Sequence, residues 1–423
     1  MLSAGFAHAQ EPVVPSPADT SRATQLQANY EYRGHVGTTP PDRMWKQPHQ
    51  LRVEASGMFD ASTVYNDLIL GLRDGGYVDQ ATRQRSSDAL RDNNRFGQEL
   101  LFRITYVGPD SMLGRSRWRP MVAVAHHDIT GLRFTRDLFR VTFFGNAAYE
   151  DSTARLAPSA HEQQRYQTIG FGLQDKHTAS FFRLDAVNGQ LLSASRLRTA
   201  DLHTATNGTA LVADLDGDYW ASADQSEFFN GWGLAASGRW NFTPKPWKEH
   251  PMAVAVWVED LGFVHWRNRS QQLHKDSVID FQGLAVENLF DLPDPLIGEG
   301  DLLDTLGVAP SEGSFNRMLP MRVGASWTLL SRDLRWHWTM AADQRLVPGY
   351  VPRALIYASR DVGRCHIGVN TSYGGFGTWQ VGAQTSFELG RHLYLDVRST
   401  DLIGLFTRQA RGQQLGVVLG VGW

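Results

Sequence analysis

The chain has 423 residues and a formal net charge of −3, with 41 Lys and Arg against 44 Asp and Glu. A balance this close leaves no basic surface for nucleic acid, so we expect no nucleic-acid partner. The single cysteine, Cys365, excludes an internal disulfide framework. No run of about 20 apolar residues occurs, which excludes a bundle of membrane-spanning helices.

The N-terminus resembles the end of a secretory signal peptide. Ala7-His8-Ala9 fits the small-x-small pattern of a cleavage site, while the basic start and most of the apolar stretch are missing. We therefore predict that residues 1–10 are the remnant of a signal peptide whose true start lies upstream of Met1. The alternative is an ordinary disordered terminus. Residues 11–48 begin with several prolines and are predicted to be a flexible leader.

Residues 58–96 carry two helix-like stretches, 61–73 and 80–91, ahead of a long region with a strand pattern. If that region closes into a barrel, this segment either plugs the lumen or lies at the periplasmic rim.

From about residue 98 to the C-terminus, apolar and polar residues alternate with a period of two, which predicts β-strands. The runs have about 9–13 residues, which suits tilted strands that cross a bilayer, whereas soluble strands usually have about five or six. Aromatic residues gather toward the ends of the runs, as they do in interfacial girdles. In the last run one face consists of Leu415, Val417, Leu419, Val421 and Trp423.

A soluble β-sandwich would also alternate, with its apolar face turned inward. The membrane interpretation is favoured because the opposite faces of the runs are rich in Gly, Ser, Gln and Arg, which suits a lumen. Sixteen candidate runs are an upper estimate, and a single-chain outer-membrane barrel is expected to have an even number of strands. The sequence thus predicts an all-β fold, a transmembrane antiparallel β-barrel of about 14 strands (range about 12–16). It forms one domain over residues 49–423 and is integral to a Gram-negative cell outer membrane.

A long insertion, residues 284–318, interrupts the alternation. Loops of this length are usually functional or mobile, and we predict a partly helical acidic loop that folds over or into one mouth. Its acidic residues, against Arg317 as the basic one, are Glu287, Asp291, Asp294, Glu299, Asp301, Asp304 and Glu312.

Two motifs resemble metal sites, and both fit a structural role better. The stretch Asp214-Leu-Asp-Gly-Asp218 opens like a calcium loop, but the positions that need glycine and glutamate hold tyrosine and glutamine. His126 and His127 are adjacent on a strand, so their imidazoles point to opposite faces. Nucleophile-elbow, zinc-helix and phosphate-loop patterns do not occur in the sequence. We therefore predict no catalytic, cofactor-binding or metal-binding residues and no enzyme activity.

Charged residues on the polar faces of the runs point into the predicted lumen. They either pair with one another and fill the barrel, or they set its selectivity for ions or substrates. The basic residues are Arg239, Arg322, Arg335, Arg364 and Arg398, and the acidic ones are Glu388 and Asp396.

The segment Asp260-Leu-Gly-Phe-Val-His-Trp266 resembles a motif of a family of Bacteroidota outer-membrane barrels of unknown function. A strand that precedes this motif in the family is degraded here, with Ala236 and Trp240 in place of the expected acid and tyrosine. Such proteins are similar to fatty-acid-transporter-like barrels and to barrels that accompany the type IX secretion and gliding machinery. The resemblance implies the fold and the location, and it implies no catalytic residues.

The motif has a structural interpretation. We expect Asp260 to accept backbone hydrogen bonds at a strand bend that Gly262 permits, and Trp266 to anchor at the membrane interface. The motif residues in this interpretation are Asp260, Leu261, Gly262, Phe263 and Trp266.

Two functions are compatible with such a barrel, ahead of a third, an outer-membrane hydrolase, which no motif supports. The first is a structural or accessory subunit of an envelope export or assembly complex, with outer-membrane lipid and other envelope proteins as partners. The alternative is a fatty-acid-transporter-like barrel for hydrophobic or small solutes, against which a lumen tightly filled by Arg and Glu would argue. Trp423 is predicted to face lipid and to be the C-terminal assembly signal, similar to that by which the barrel-insertion machinery recognises its clients.

Overall fold

The computed structural model describes residues 47–75, 77–110, 114, 117–208, 210–223, 227–248, 250–281, 310–333, 335–390 and 392–423. The predicted signal remnant 1–10, nearly all of the leader 11–48, and the acidic segment up to residue 309 lie outside these ranges. Within them, no helix combines the length and the apolar character that crossing a membrane requires.

Strands dominate the described chain and form one antiparallel sheet. The first ten strands are β1 (Gln50–Ala61), β2 (Asn94–Val107), β3 (Trp118–Phe134), β4 (Ser152–Arg155), β5 (Ser159–Asp175), β6 (Phe181–Thr204), β7 (Leu211–Ala221), β8 (Gly231–Phe242), β9 (Met252–Trp266) and β10 (Gln271–Phe281). The others are β11 (Ser311–Glu312), β12 (Phe315–Met318), β13 (Arg322–Leu330), β14 (Trp336–Arg345), β15 (Val351–Val362), β16 (Cys365–Gly375), β17 (Trp379–Leu389), β18 (Leu393–Ser399) and β19 (Gly412–Gly422). The helices are α1 (Asn66–Arg73), α2 (Gln80–Asp88), α3 (Arg136–Phe144) and α4 (Ile403–Phe406).

The sheet closes on itself because β1 pairs with both ends of the strand order. Gln50 lies opposite Gly422 of β19 on one side and opposite Val107 of β2 on the other. Closure removes the unpaired backbone groups of an open edge, which a bilayer cannot hydrate. Several barrel strands are interrupted, so that β4 with β5, β7 with β8, β9 with β10, and β11 and β12 with β13 each form one. The barrel therefore has 14 strands, which confirms the prediction.

The strand count agrees although the individual predicted runs differ from the structure. Strand β1 precedes the first predicted run at residue 98 and overlaps the segment predicted to be a plug or rim. Three pairs of predicted runs, in contrast, each form a single barrel strand, and the 24-residue β6 is one of them. Part of the predicted acidic loop is strand as well, namely β11 and β12.

The two faces of the wall have opposite polarity, which excludes the β-sandwich. Leu415 and Leu419 of β19 and the following Trp423 are exposed on the outside, as the alternation predicts. On β1, the buried inner face carries Arg52 and Glu54. A polar interior inside an apolar exterior is the arrangement of a barrel that lies in lipid.

The two ends of the barrel have connections of different length. Both chain ends of the barrel, Gln50 and Gly422, lie at one mouth, together with short turns such as 363–364. The opposite mouth carries the long connections, including α1, α2 and α3. Outer-membrane barrels have short periplasmic turns and longer extracellular loops, so the helices mark the extracellular mouth.

The helices of segment 58–96 lie outside the barrel wall at this extracellular rim, and not in the lumen or at the periplasmic end. Leu68 of α1 and Phe139 of α3 pack against Ala61, Phe134 and their neighbours, whose side chains point outward from β1 and β3. These outward residues are apolar, so the helices cover apolar surface at the height where the membrane ends. The segment therefore forms a rim, one of the two predicted placements, at the other end of the barrel.

Two short turns fold into the extracellular mouth. The turn 346–350 approaches β3 so closely that a Cβ on Gly349 would lie 2.3 Å from the Leu132 carbonyl oxygen. Gly349 also has a φ of 80°, so glycine is required there on both counts. In the turn 376–378, Phe376 is fully buried and packs edge-on against Tyr350, with ring centroids 5.0 Å apart.

Candidate functional site

Below the mouth, the lumen contains ion pairs between neighbouring strands and also pairs that cross it. Arg103 of β2 lies 3.7 Å from a Glu54 carboxylate oxygen of β1 and 3.5 Å from one of Glu259 of β9. Arg398 of β18 forms a further ion pair with Glu54. Charges taken out of water need partners of opposite sign, and these pairs supply them across the barrel.

A second set of pairs lies on the β13–β15 side. The Asp343 carboxylate accepts from Arg322 at 3.1 Å and from Arg353 at 2.8 Å, and the Tyr350 hydroxyl donates to it as well. Arg345 places its Nε 3.0 Å from Glu99 of β2. The pairs thus tie the two halves of the wall together through the lumen.

The space left between these side chains is a cavity of about 100 Å³. That is room for a few water molecules and for little else. The charges around it, which balance five against five, are Glu54, Glu99, Glu259, Asp260 and Asp343 with Arg103, Arg322, Arg345, Arg353 and Arg398. A lumen filled in this way is the outcome expected to argue against a transporter, because it blocks the passage of a solute along the barrel axis.

The luminal arginines predicted from the sequence divide into two groups. Arg322 and Arg398 belong to the ion pairs above, and buried Arg239 lies over the Trp257 ring at 5.3 Å. Arg335 and Arg364 instead lie in turns at the periplasmic mouth, because their strands end one or two residues away.

The two predicted acids differ from the expected charge ladder too. Asp396 is buried and accepts hydrogen bonds from Gln384 at 2.7 Å and Ser386 at 2.5 Å. Glu388 lies near the periplasmic end of β17, where its backbone N–H donates to the Arg364 carbonyl at 3.0 Å.

The motif aspartate lies in the luminal site, where it makes side-chain contacts. The buried Asp260 accepts a hydrogen bond from the Tyr166 hydroxyl at 2.9 Å, and His127 stacks on Tyr166 with ring centroids 4.6 Å apart. The expected bend is at Asp260 itself, whose φ is 54°, and the Gly262 φ is not positive. Asp260 tolerates this left-handed conformation better than most residues. A Cβ on Gly262 would lie 2.1 Å from the Leu234 carbonyl oxygen, so the glycine permits the close approach of β8 and β9 beside the bend.

The motif aromatics are placed differently from the prediction. Leu261 and Phe263 are exposed on the outer wall, but Trp266 is completely buried on the inner side. There it packs with Val264 and Leu319 in an apolar layer of the upper lumen. Trp266 is therefore not an interfacial anchor.

The two metal-like motifs lie in strands. His127 points into the lumen while its neighbour His126 points outward, as the alternation requires. Asp216 and Asp218 of the calcium-like stretch lie in β7 and pair with Arg198 of β6. Among the residues that the structure describes, no group of three or more His, Cys, Asp and Glu is arranged to hold a metal ion.

A much larger cavity, about 920 Å³, lies between the rim helices and the outer wall. We call it the rim pocket. Its wall side is formed by outward residues of four adjacent strands and its cover by α1 and α3. Most of its lining side chains are apolar, and they include Leu68, Ile69, Leu72, Phe96, Leu100, Leu132, Phe134, Leu138, Phe139, Phe143, Leu405 and Leu415.

The rim pocket lies at the boundary of the apolar outer band. A row of outward residues in register across the strands is mostly polar here: Gln413, Phe59, Gln98, Thr130 and Gln163. The next row toward the periplasm is apolar on β19, β1 and β2, where it consists of Leu415, Gly57 and Leu100, but on β3 and β5 it continues with the ion pair of Asp128 and Arg165. The pocket includes residues of both rows on β19, β1 and β2, and on these strands it lies where the outer face changes from polar to apolar.

The position of α3 over the pocket is fixed from its own N-terminus. The Thr135 hydroxyl accepts a hydrogen bond from the Leu138 N–H at 3.1 Å and donates to the Arg155 carbonyl at 2.8 Å. The Tyr149 hydroxyl donates to Asp137 in the first turn at 2.8 Å. Burial and the hydrogen bond to Asp137 raise the pKa of Tyr149 to about 12, so this donor stays protonated at neutral pH.

Trp423 closes the seam of the barrel. Its side chain is 51% exposed on the predicted outer face and stacks on His49, with ring centroids 5.5 Å apart. The backbone groups of His49 and Trp423 exchange hydrogen bonds at 3.0 and 3.1 Å. The last residue thus takes part in joining the first and last strands, while its role as an assembly signal stays a prediction.

No family model and no curated protein match this sequence. Among solved structures, the toluene transporter TbuX of Ralstonia pickettii is similar at 10% identity and a TM-score of 0.43, over 92% of this chain and 96% of its own. A TodX variant, a monoaromatic hydrocarbon channel, gives 8% and 0.45, over 91% and 95%. The translocator domain of the autotransporter NalP from Neisseria meningitidis gives 11% and 0.34, over 96% of both chains.

With every TM-score this low, the class of the protein is defined by its own geometry. A closed barrel of 14 strands, apolar outside and polar inside, is an integral protein of the outer membrane. The resemblance of Asp260–Trp266 to the Bacteroidota barrels stays a prediction.

Proposed function

We propose that this barrel takes up hydrophobic small solutes and that the rim pocket is where they are first bound. The observation that carries the proposal is the apolar cavity of about 920 Å³ at the membrane boundary. Sites for small ligands have volumes of about 300–1,000 Å³ and are mostly apolar with a few polar groups. Here Gln98 and Gln413 supply such groups.

The location supports the same ligand class. A hydrophobic solute partitions into the bilayer, and the rim pocket opens at the edge of the apolar band. Burial of apolar surface contributes roughly 25 cal/mol per Å², so a ligand enclosed between the wall and two helices gains more than one that lies on the wall alone. The filled lumen is consistent with uptake that does not begin along the barrel axis.

The experiment measures binding of the uncharged fluorescent probe N-phenylnaphthylamine to the full chain in lipid nanodiscs. Leu138→Trp adds bulk in the pocket and should weaken probe binding by about tenfold, as expected for the loss of a few buried methylene groups of the ligand. Ile356→Trp, on the lipid-facing side of β15, is the matched control and should bind like the wild type. Equal binding by the wild type and Leu138→Trp would contradict the proposal.

Lipid acyl chains and hydrophobic solutes share the chemistry that the pocket recognises, so probe binding is compared in nanodiscs of two acyl-chain lengths. An added uncharged solute should displace the probe from both kinds of nanodisc. If probe binding changed with the acyl-chain length and not with the added solute, the pocket would be a site for membrane lipid. The accessory-subunit hypothesis stays a prediction, tested by co-purification of envelope proteins after gentle detergent extraction.

A further inference from the structure

A second cavity lies in the lumen at the extracellular mouth and has a different chemistry from the rim pocket. Its volume is about 430 Å³, and Arg345 and Tyr350 separate it from the small cavity below. We call it the vestibule. Its charged lining residues are Arg133, Arg196, Arg317 and Arg345 with Glu162. Four guanidinium groups against one carboxylate give it a positive excess, although the chain as a whole is slightly acidic.

Two of the four arginines already have partners. Arg317 pairs with Glu162 at 2.5 Å, and Arg345 pairs with Glu99. Arg133 and Arg196 form no ion pair and no side-chain hydrogen bond within the ranges that the structure describes, and the Arg133 Nε is buried without an acceptor. A buried donor without an acceptor is costly, and in a native protein such a group calls for an explanation such as a ligand.

The strand register places the two unpaired arginines on one face. Arg133 of β3 lies opposite Ala160 of β5, and Ala160 lies opposite Arg196 of β6. Residues directly opposite one another point to the same side of a sheet, and two strand spacings set the arginines about 10 Å apart at the backbone. The methyl group of Ala160 leaves the space between them open.

The side of the vestibule next to this pair is partly apolar. Trp220 of β7 contributes its ring, over which Arg317 lies at 4.6 Å. The mouth is on the aqueous side of the wall, so a ligand reaches it from water and not from lipid.

We propose that the vestibule is an anion-binding site for small water-soluble solutes that carry a carboxylate or phosphate group, held between Arg133 and Arg196. A guanidinium group can donate two parallel hydrogen bonds to a carboxylate or a phosphate. Such charge-assisted hydrogen bonds are stronger than those between neutral groups. The site is separate from the rim pocket and does not rest on the uptake of hydrophobic solutes.

Isothermal titration of the full chain in zwitterionic nanodiscs tests the proposal, with benzoate and inorganic phosphate as the two probes. The wild type should bind at least one probe at low salt, and more weakly as salt screens the charges. Arg133→Gln and Arg196→Gln should each weaken binding about tenfold or more, the range expected for loss of one charged hydrogen bond. The double variant should show no binding.

The matched control is Arg360→Gln, an arginine on the outer side near the periplasmic mouth that lies over Trp336. It should bind like the wild type. Absence of binding of both probes to the wild type, or an equal loss in Arg360→Gln, would overturn the proposal. Heat-modifiable migration on gels shows that the double variant is folded. Its unchanged binding of N-phenylnaphthylamine keeps the two proposals distinguishable, because neither arginine lines the rim pocket.

Discussion

The ion pair between Arg345 and Glu99 provides a direct test of the closed lumen. Arg345→Met keeps the length of the side chain but removes its charge, and Glu99 then stays in the lumen without its partner. The two side chains are 7% and 20% exposed. Removing one partner of a buried pair costs roughly 3–5 kcal/mol, and we expect about 3 kcal/mol because water reaches Glu99 in part.

A second substitution separates the loss of the Arg345–Glu99 attraction from the cost of leaving the Glu99 carboxylate without a partner. Glu99→Gln in the Arg345→Met background removes the unpaired carboxylate, and replacement of both members of a buried pair is often nearly neutral. The double variant should therefore regain most of the loss, with a coupling energy above about 1.5 kcal/mol. The measurement is equilibrium urea unfolding of the barrel in lipid vesicles, followed by tryptophan fluorescence.

Arg360→Met serves as the control and should change the free energy of unfolding by less than about 0.5 kcal/mol, as surface substitutions do. Arg345 also separates the two luminal cavities of about 100 and 430 Å³, so Arg345→Met should raise ion conductance in planar bilayers above that of the wild type. Additive losses in the cycle, or a wild type that conducts as well as the variant, would refute the reasoning.

Three further changes test other parts of the barrel. Thr135→Ala removes the N-cap of α3 and should cost about 1 kcal/mol; it should also weaken N-phenylnaphthylamine binding, and unchanged binding would show that α3 does not shape the rim pocket. Asp260→Ala leaves the buried Tyr166 hydroxyl without its acceptor and should cost roughly 1–3 kcal/mol, while Asp260→Asn keeps an acceptor and should cost less in the same urea assay. Trp423→Asp, or extension of the chain past Trp423, should lower the yield of heat-modifiable barrel on gels, and normal yield would count against the assembly-signal prediction.

The alternation of the sequence was sufficient to predict the class of fold, because a lipid-facing wall imposes a period of two. It was not extended to β1, although apolar Leu51, Val53 and Phe59 alternate there with inward Arg52, Glu54 and Asp60. The alternation is interrupted in the middle of the strand, where Gly57 points outward and Met58 points inward. Pairing with β2 and β19 defines this strand, and pairing is not visible in one sequence.

The luminal site could be predicted only in its residue types. Arg322 and Arg398 are on the inner face as expected. Arg322 pairs with Asp343 of the next strand, 21 residues away, but the partner of Arg398 is 344 residues away in the sequence. Glu54 of β1 and Arg398 of β18 are paired across β19, which lies between these two strands. Such a pair depends on the register of several strands at once, and one bulge anywhere between them shifts it. The rim pocket was out of reach for the same reason, because its cover is a tertiary contact between helices and wall.

The position of Trp266 shows how one extra residue in a strand reverses the face on which later side chains lie. Strict alternation from the buried Trp257 would put Trp266 on the lipid side, where an aromatic anchor is expected. The bulge at Glu259 and Asp260 adds a residue opposite Ser237, so both acids point into the lumen and every later side chain of β9 changes face. The left-handed φ of Asp260 therefore does two things at once. It supplies a second acid to the luminal charges, and it turns Val264 and Trp266 inward to form the apolar layer above them.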